Sequence, residues 1–440
     1  MRKRLGFRAA RNPRRTTPAS TIILCMKILQ LCKKFPYPLK DGEAIAVTYL
    51  AHALADLGHE VTLLSMNTSK HWFDLEHLPA DYNHYQAIHT VFVDNRIRPL
   101  PALLNLFGSS SYHIERFDNA AFAEKLAELL QNEHFDVVQL ESVYLAPYIP
   151  VIRRHSQARV ALRSHNVEYE IWERVAQTGS PFQRWYLGKI TPRLRAYELA
   201  RLNDYDFVSA ITPRDLEQYR KLGLRKPAGV TPIGLDTRKY QPDFRSYKRP
   251  LSLSFIGSLD WIPNQEGLRW FLEQVWTPLL VPAFPELEFH IAGRTAPAWL
   301  RNLNIERVVF HGEVPDSAAF LNQHSIMVTP LLAGGGMRAK ILEAMALGKV
   351  TISTSIGLEG ISAVHQRECF VADTPEQFLE AVRWASHNRA ALEQMGHNAL
   401  AFCQENFDHH AVAGRLADAY GELVEMQAVL NAEFGMRNAE

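Results

Sequence analysis

From Met26 onward, short apolar and β-branched runs alternate with longer stretches in which apolar residues recur every third or fourth position. A strand buried on both faces reads as an unbroken apolar run and a helix lying on the sheet reads as a stripe, so this alternation predicts βαβ units and a parallel sheet. The first unit is KILQL, a loop CKKFPYPLKDGE, then a helix whose Val47, Leu50, Ala51, Leu54 and Leu57 share one face. Gly58 is placed to stop that helix, and EVTLLSM returns as the second strand. Further strands are expected at AIHTVFV, DVVQLES, RVALRSH and DFVSAIT, which makes residues 26–235 one doubly wound domain. The segment 236–250, DTRKYQPDFRSYKRP, is polar, carries proline and has no periodicity, and is expected to connect two domains. The alternation restarts with LSLSFIGS, LEFHIAG, RVVFHGEV, SIMVTPL and KVTISTS, giving a second domain over 251–400. A helical stretch runs from Arg389 to about Val429 with nothing after it to pair with, so residues 401–440 are expected to pack back across the domains. The fold class is therefore α/β, with two Rossmann-like domains facing a cleft and a terminal helix crossing between them. Ligands of such folds sit beyond the carboxyl ends of the strands, which directs the search for chemistry to the loops that follow them.

Charge narrows the choice of partner. Formal charge is +1 over 440 residues, but Arg2, Lys3, Arg4, Arg8, Arg11, Arg14 and Arg15 crowd an acid-free start. Beyond residue 20 the chain has 41 Lys and Arg against 47 Asp and Glu, so no global basic footprint draws it onto nucleic acid. Residues 1–25 are set aside from the fold, as an upstream start before the natural opening at Met26 or as a basic leader. Four scattered cysteines in no metal or disulfide spacing suit a reducing cytoplasm. No apolar run reaches the roughly 20 residues of a membrane span, so any membrane contact is expected to be peripheral, at the inner face of the plasma membrane. The stretch RWYLGKITPRLRAYELARLN, with Arg184, Lys189, Arg193, Arg195 and Arg201, could meet anionic headgroups or be a solvated helix face.

The strongest chemical signal is PLLAGGGMRAKILEAMALGK at 330–349, where a strand runs through Gly334, Gly335 and Gly336 into a helix. Glycine backbone N–H groups at a helix start bind anions. Arg338 and Lys340 fall in the first turn, where cations oppose the helix dipole unless an anionic ligand compensates. Glu343 lies on the Lys340 face of a helix whose Met337, Ile341 and Met345 read as core, and its carboxylate suits two ribose hydroxyls.

Taken with DGEAIAVTYLAHALADLGHEVTLL, RSHNVEYEIWERVA, VTPIGLDTRKYQP, GSLDWIPNQEGLRWFLEQVWTPL and FHIAGR, this segment resembles the GT-B glycosyltransferases of family 4 over nearly all of residues 26–420. GSLDWIPN and GGGMRAKILEAMALGK are most similar to the subgroup associated with bacterial surface-glycan and exopolysaccharide assembly. The resemblance implies a retaining enzyme that uses a nucleoside-diphosphate sugar, needs no metal or other cofactor, and transfers to a glycan or glycolipid. Glu343 matches the second glutamate of the family's pair, which the resemblance implies binds the ribose, whereas Gly335 stands where the family has the first, so the sequence carries no inference about which sugar is bound. The arginine and lysine that many members place after the first strand of the second domain are replaced here by GSLDWIPNQEG. Arg338 and Lys340 are then the cations left to hold the diphosphate.

In the first domain, Gly42 matches the family's glycine loop, and the resemblance implies that His165 lies beside donor sugar and acceptor, with Asn166 next to it. Glu141, ending DVVQLE, is an acceptor-side candidate. Gly257 and Gly312 are candidates for close backbone approach to the donor phosphate and base, or for plain tight turns. Asp204 and Asp206 form an Asp-x-Asp that precedes its strand, the wrong end for a metal on a nucleotide sugar, and read as structural. Two other functions remain open at this stage: a nucleotide-sugar enzyme of epimerase type, which has no acceptor, and a nonenzymatic nucleotide-sugar-binding protein of glycan assembly.

Overall fold

The computed structural model describes residues 25–39, 42–96, 104–106, 108, 110–178, 181–333 and 336–437. The leader up to residue 24, and with it Gly334 and Gly335, lies outside the described residues.

Each half builds one parallel sheet. The first is ordered β3-β2-β1-β4-β5-β6-β7, with β1 Lys27–Cys32, β2 Glu60–Thr68, β3 Ala87–Val93, β4 Val137–Leu140, β5 Arg159–Ser164, β6 Phe207–Ala210 and β7 Ala228–Val230. The second is ordered β10-β9-β8-β11-β12-β13, with β8 Ser252–Ile256, β9 Glu288–Ala292, β10 Val308–Gly312, β11 Ile326–Thr329, β12 Val350–Ser353 and β13 Cys369–Val371. The strand order reverses twice, between β1 and β4 and between β8 and β11, and each reversal opens a crevice at the strands' carboxyl ends. The edge strands β7 and β13 are absent from the sequence reading; at three residues each they make no apolar run long enough to register.

The predicted helix faces pack as expected. In α1, Gly42–Asp56, the residues Val47, Leu50, Ala51 and Leu54 are buried on the first sheet, and Gly58 ends the unit at φ +90°. A shorter helix, α2 (Glu168–Thr178), follows β5 and packs on the long α3 (Pro181–Arg201). In the second half, α4 is Ile262–Trp270 and α5 is Ala339–Ala346. Met337, Ile341 and Met345 are buried, and all three join Ala46, Ile211 and Ile233 of the first domain in one apolar cluster. The terminal helical stretch is two helices, α6 Arg389–Phe407 on the second sheet and α7 His409–Arg437 against α1. The break at Asp408 is where the chain crosses back: Leu235 donates its N–H to Phe407 O at 2.8 Å and accepts from His409 N at 2.9 Å. Residues 236–250 are held on the second domain, with Lys349 Nζ donating to Asp243 O and Arg389 to Tyr247 O. No helix among the described residues is long and apolar enough to cross a membrane.

Candidate active site

On the second domain, the chain leaves β11 and enters α5 with Gly336 at φ +78° and Arg338 in the cap position. The helix starts at Ala339, two residues later than the glycine pattern suggests, because Arg338 is still extended. Arg338 is buried; its guanidinium donates to Gly336 O at 2.8 Å and lies over the Trp261 ring. Lys340 donates to Asn264 Oδ1 at 2.8 Å and sits 4.3 Å above the Phe255 ring. Among the described residues no carboxylate lies within ion-pair distance of Lys340, and it does not pair with Glu343. Desolvation, with the neighbouring Arg338 charge, therefore lowers the Lys340 ammonium to about 7. Glu343 instead accepts from Tyr240 OH at 3.3 Å, and burial raises its pKa.

Glycines make room for this arrangement. A Cβ on Gly257 would stand 3.1 Å from Asn264 Nδ2 and 3.5 Å from Lys340 Nζ, so Gly257 lets the lysine reach across the end of β8. A Cβ on Gly293 would collide with Gly257 O at 2.1 Å, a backbone contact that the sequence reading did not single out. Gly312 has φ +69°, and among the described residues nothing stands within 4 Å of a Cβ built on it. Gly42 begins α1 at an ordinary φ, and among the described residues only Ile233 stands within 4 Å of a Cβ built on it.

On the first domain, the carboxyl ends of β4 and β5 carry a buried polar cluster around Glu141. Its carboxylate accepts from His165 Nε2 at 2.8 Å, from Arg163 Nη1 at 3.2 Å, and from the amides of Gln30 and Gln139. Burial alone would raise its pKa, but the Arg163 charge and the His165 hydrogen bond prevail and hold it at about 2. An ionised Glu141 is an acceptor, so it fixes a proton on His165 Nε2. Glu43, at the start of α1, is lowered against its burial by Lys33, Lys34 and His165, with nitrogen–oxygen distances of 3.5 and 3.3 Å to the two lysines.

The His165–Asn166 turn is held from behind. Glu198 on α3 accepts from the N–H groups of Glu168 and Tyr169, capping α2, and from Tyr219 OH at 2.7 Å. The same Tyr219 hydroxyl lies 3.2 Å from Asn166 O, within reach of its proton as an alternative acceptor. Asn166 faces the other domain: a Cβ on Gly336 would stand 3.5 Å from Asn166 Oδ1. Thus His165, Asn166, Gly336, Arg338, Lys340 and Gly257 gather around the two crevices, while Glu343 lies along α5 beside Tyr240. Sequence reasoning passed over Asn264, Arg163, Tyr240 and Glu198. The signal for Arg163 was a charge inside an apolar strand; for Asn264 and Glu198 no spacing pointed to the partner.

Asp206 accepts from Val160 N at 2.8 Å and pairs with Arg153, and Asp204 pairs with Arg201, so both serve the amino end of β6 as expected. In the basic helix, Arg193 donates to Leu106 O and Arg195 lies over Tyr169.

The two-domain fold is shared with known proteins. Residues 41–239 match the model of Glycosyltransferase Family 4, and residues 250–388 match that of Glycosyl transferases group 1. A Klebsiella pneumoniae relative, an uncharacterized 44.6 kDa protein in the cps region, is 23% identical over 402 residues, covering 88% of this chain and 97% of its own. Sucrose-phosphate synthase from Thermosynechococcus elongatus has a similar structure at TM-score 0.64 and 17% identity, over 91% of this chain and 100% of that one. Anabaena HepE in complex with UDP gives 0.62 at 13% identity, over 90% of this chain and 100% of its own. With a family 4 domain and a group 1 domain in tandem on two parallel-sheet domains, the chain is a GT-B glycosyltransferase.

Proposed function

We propose that the protein transfers a sugar from a nucleoside-diphosphate donor to a hydroxyl of a glycan or glycolipid, with retention, in cell-surface polysaccharide synthesis. The observation that carries this reading is Lys340, a desolvated cation with neutral partners beside buried Arg338 at the mouth of a glycine loop. Breaking the anomeric bond leaves its electron pair on the diphosphate, and Arg338, Lys340 and the Gly336 N–H are placed to take up that charge. Glu343, kept from ionising easily by its burial, suits the ribose hydroxyls. Across the cleft, His165 and Asn166 are the groups for the sugar and the incoming hydroxyl, oriented by Glu141. HepE has been solved with UDP-glucose, which supports a nucleotide sugar as donor. No step calls for a metal. Arg184, Trp185 and Lys189 face solvent on α3 and are the residues for a contact with anionic lipid.

The test is transfer itself. Protein starting at Met26 is given UDP-, GDP- and ADP-sugars with a membrane glycolipid extract, and both nucleoside diphosphate and labelled lipid are measured. Labelled lipid with one donor, lost in Lys340→Ala, is the expected result. A changed sugar with no labelled acceptor would favour the epimerase-type reading, and donor binding without turnover the nonenzymatic one.

A further inference from the structure

At the far end of α1 from Gly42, four side chains of metal-ligating type meet at the domain crossing. His52 and Asp56 are one helical turn apart on α1, with His52 Nδ1 3.4 Å from Asp56 Oδ2. His409 and His410 open α7, and His410 Nε2 lies 2.8 Å from the same Asp56 oxygen. One ligand atom from each of His52, Asp56 and His409 lies within 4.8 Å of the other two. Bonds of about 2.0–2.1 Å around a tetrahedral zinc ion put neighbouring ligand atoms roughly 3.4 Å apart, so the His52–Asp56 pair already has that spacing.

His409 supplies the second, independent observation. It is 1% exposed, and its Nδ1–H donates to Leu235 O at 3.2 Å. That hydrogen bond leaves the lone pair on Nε2, which is buried and has no hydrogen-bond partner among the described residues. A histidine whose one nitrogen is anchored to a backbone carbonyl while the other is bare is the arrangement that metal-binding histidines adopt. Asp408 is occupied elsewhere, by Thr237 Oγ1 and the His410 N–H, and acts as the cap of α7. A cavity of about 450 Å³ lined by Tyr37, Tyr49, His52, His84 and His409 gives an ion a way in.

We propose that His52, Asp56 and His409 bind a divalent transition-metal ion of the zinc class, with His410 supporting Asp56 from outside. Imidazole and carboxylate ligands select zinc, cobalt or nickel over magnesium. Because α1 belongs to the first domain and His409 follows the crossing from the second, the ion ties the crossing segment to α1. At 10 to 14 residues along α1 from Gly42, it lies roughly 15–20 Å from that glycine, and its part is to hold the crossing rather than to act in transfer.

Tag-free protein, starting at Met26, is stripped with chelator, equilibrated with Zn2+ or Mg2+, freed of excess ion and assayed for bound metal. Thermal unfolding and the visible spectrum of the Co2+ adduct are recorded alongside. About one equivalent of zinc, a raised Tm, a tetrahedral cobalt spectrum and no response to magnesium are expected. His52→Ala and Asp56→Asn, both at half-exposed positions, should keep the fold and weaken zinc binding by roughly tenfold or more. The proposal is overturned if the protein takes up no zinc, or if both variants keep the zinc-induced rise in Tm.

Discussion

Glu141 is ionised although fully buried because three kinds of donor converge on it: a guanidinium, an imidazole and two amides. Its stabilising contribution is present above the usual carboxylate range and is lost as pH falls through about 2, the direction expected of a depressed acid. Glu141→Gln leaves Arg163, fully buried, opposite a neutral amide, which should cost about 3–5 kcal/mol in denaturant unfolding. The double variant Glu141→Leu with Arg163→Met should be markedly more stable than that single variant. Equal destabilisation would mean that the pair is not what holds the site. On the opposite domain, Lys340 carries the converse imbalance: a cation kept from solvent beside an aromatic ring and an amide.

Among the elements, the turn between β5 and α2 shows how a site residue is positioned by a helix it does not belong to. The first N–H groups of α2 have no partner within their own helix, and Glu198 of α3 supplies it. Burial raises the Glu198 pKa to about 7, so its contribution is complete below about 4.5 and is lost as pH rises through 7. Glu198→Gln has no charge to bury, so its stability relative to the parent should grow between pH 5 and 8 by up to about 1.4 kcal/mol per pH unit. A flat difference across that range would remove the cap's titration from the account. What was legible in the sequence follows the same division. Local signals, such as the apolar face of α1, the Gly58 stop and the glycine-to-helix start before α5, were read directly because each acts within a few residues. The Asn264–Lys340 and Glu198–Glu168 contacts join positions 76 and 30 residues apart, and the Asp408 break falls in a helical pattern with no interruption in its apolar spacing.

At the scale of the molecule, α7 belongs by sequence to the end of the chain and by packing to its beginning. Val412, Ala413, Leu416, Tyr420 and Leu423 are buried, and all but Val412 share a cluster with Val47, Leu50 and Leu54 of α1, while Tyr420 OH donates to Gln139 Oε1 at 2.7 Å. Deleting residues 408–440 should therefore unfold the first domain rather than trim a tail, since each large side chain uncovered costs about 1.5–3 kcal/mol. Limited proteolysis of the truncated protein should degrade residues 26–235 and spare 251–407; a protease-resistant first domain would show that α7 is dispensable. The two domains meet where Asn166 faces Gly336 and where Arg214 Nε comes within 3.8 Å of Glu359, so the diphosphate would be bound between them. That is best tested by calorimetric titration of UDP and GDP at about pH 8.5, in buffers of different ionisation enthalpy, with the parent and Lys340→Met. With its pKa at about 7, Lys340 is mostly neutral there in the unliganded protein, and binding a diphosphate should draw in close to one proton and weaken as pH rises. Lys340→Met should bind more weakly and take up none. Binding without proton uptake, or equally tight binding by Lys340→Met, would contradict the assignment of Lys340 to the diphosphate.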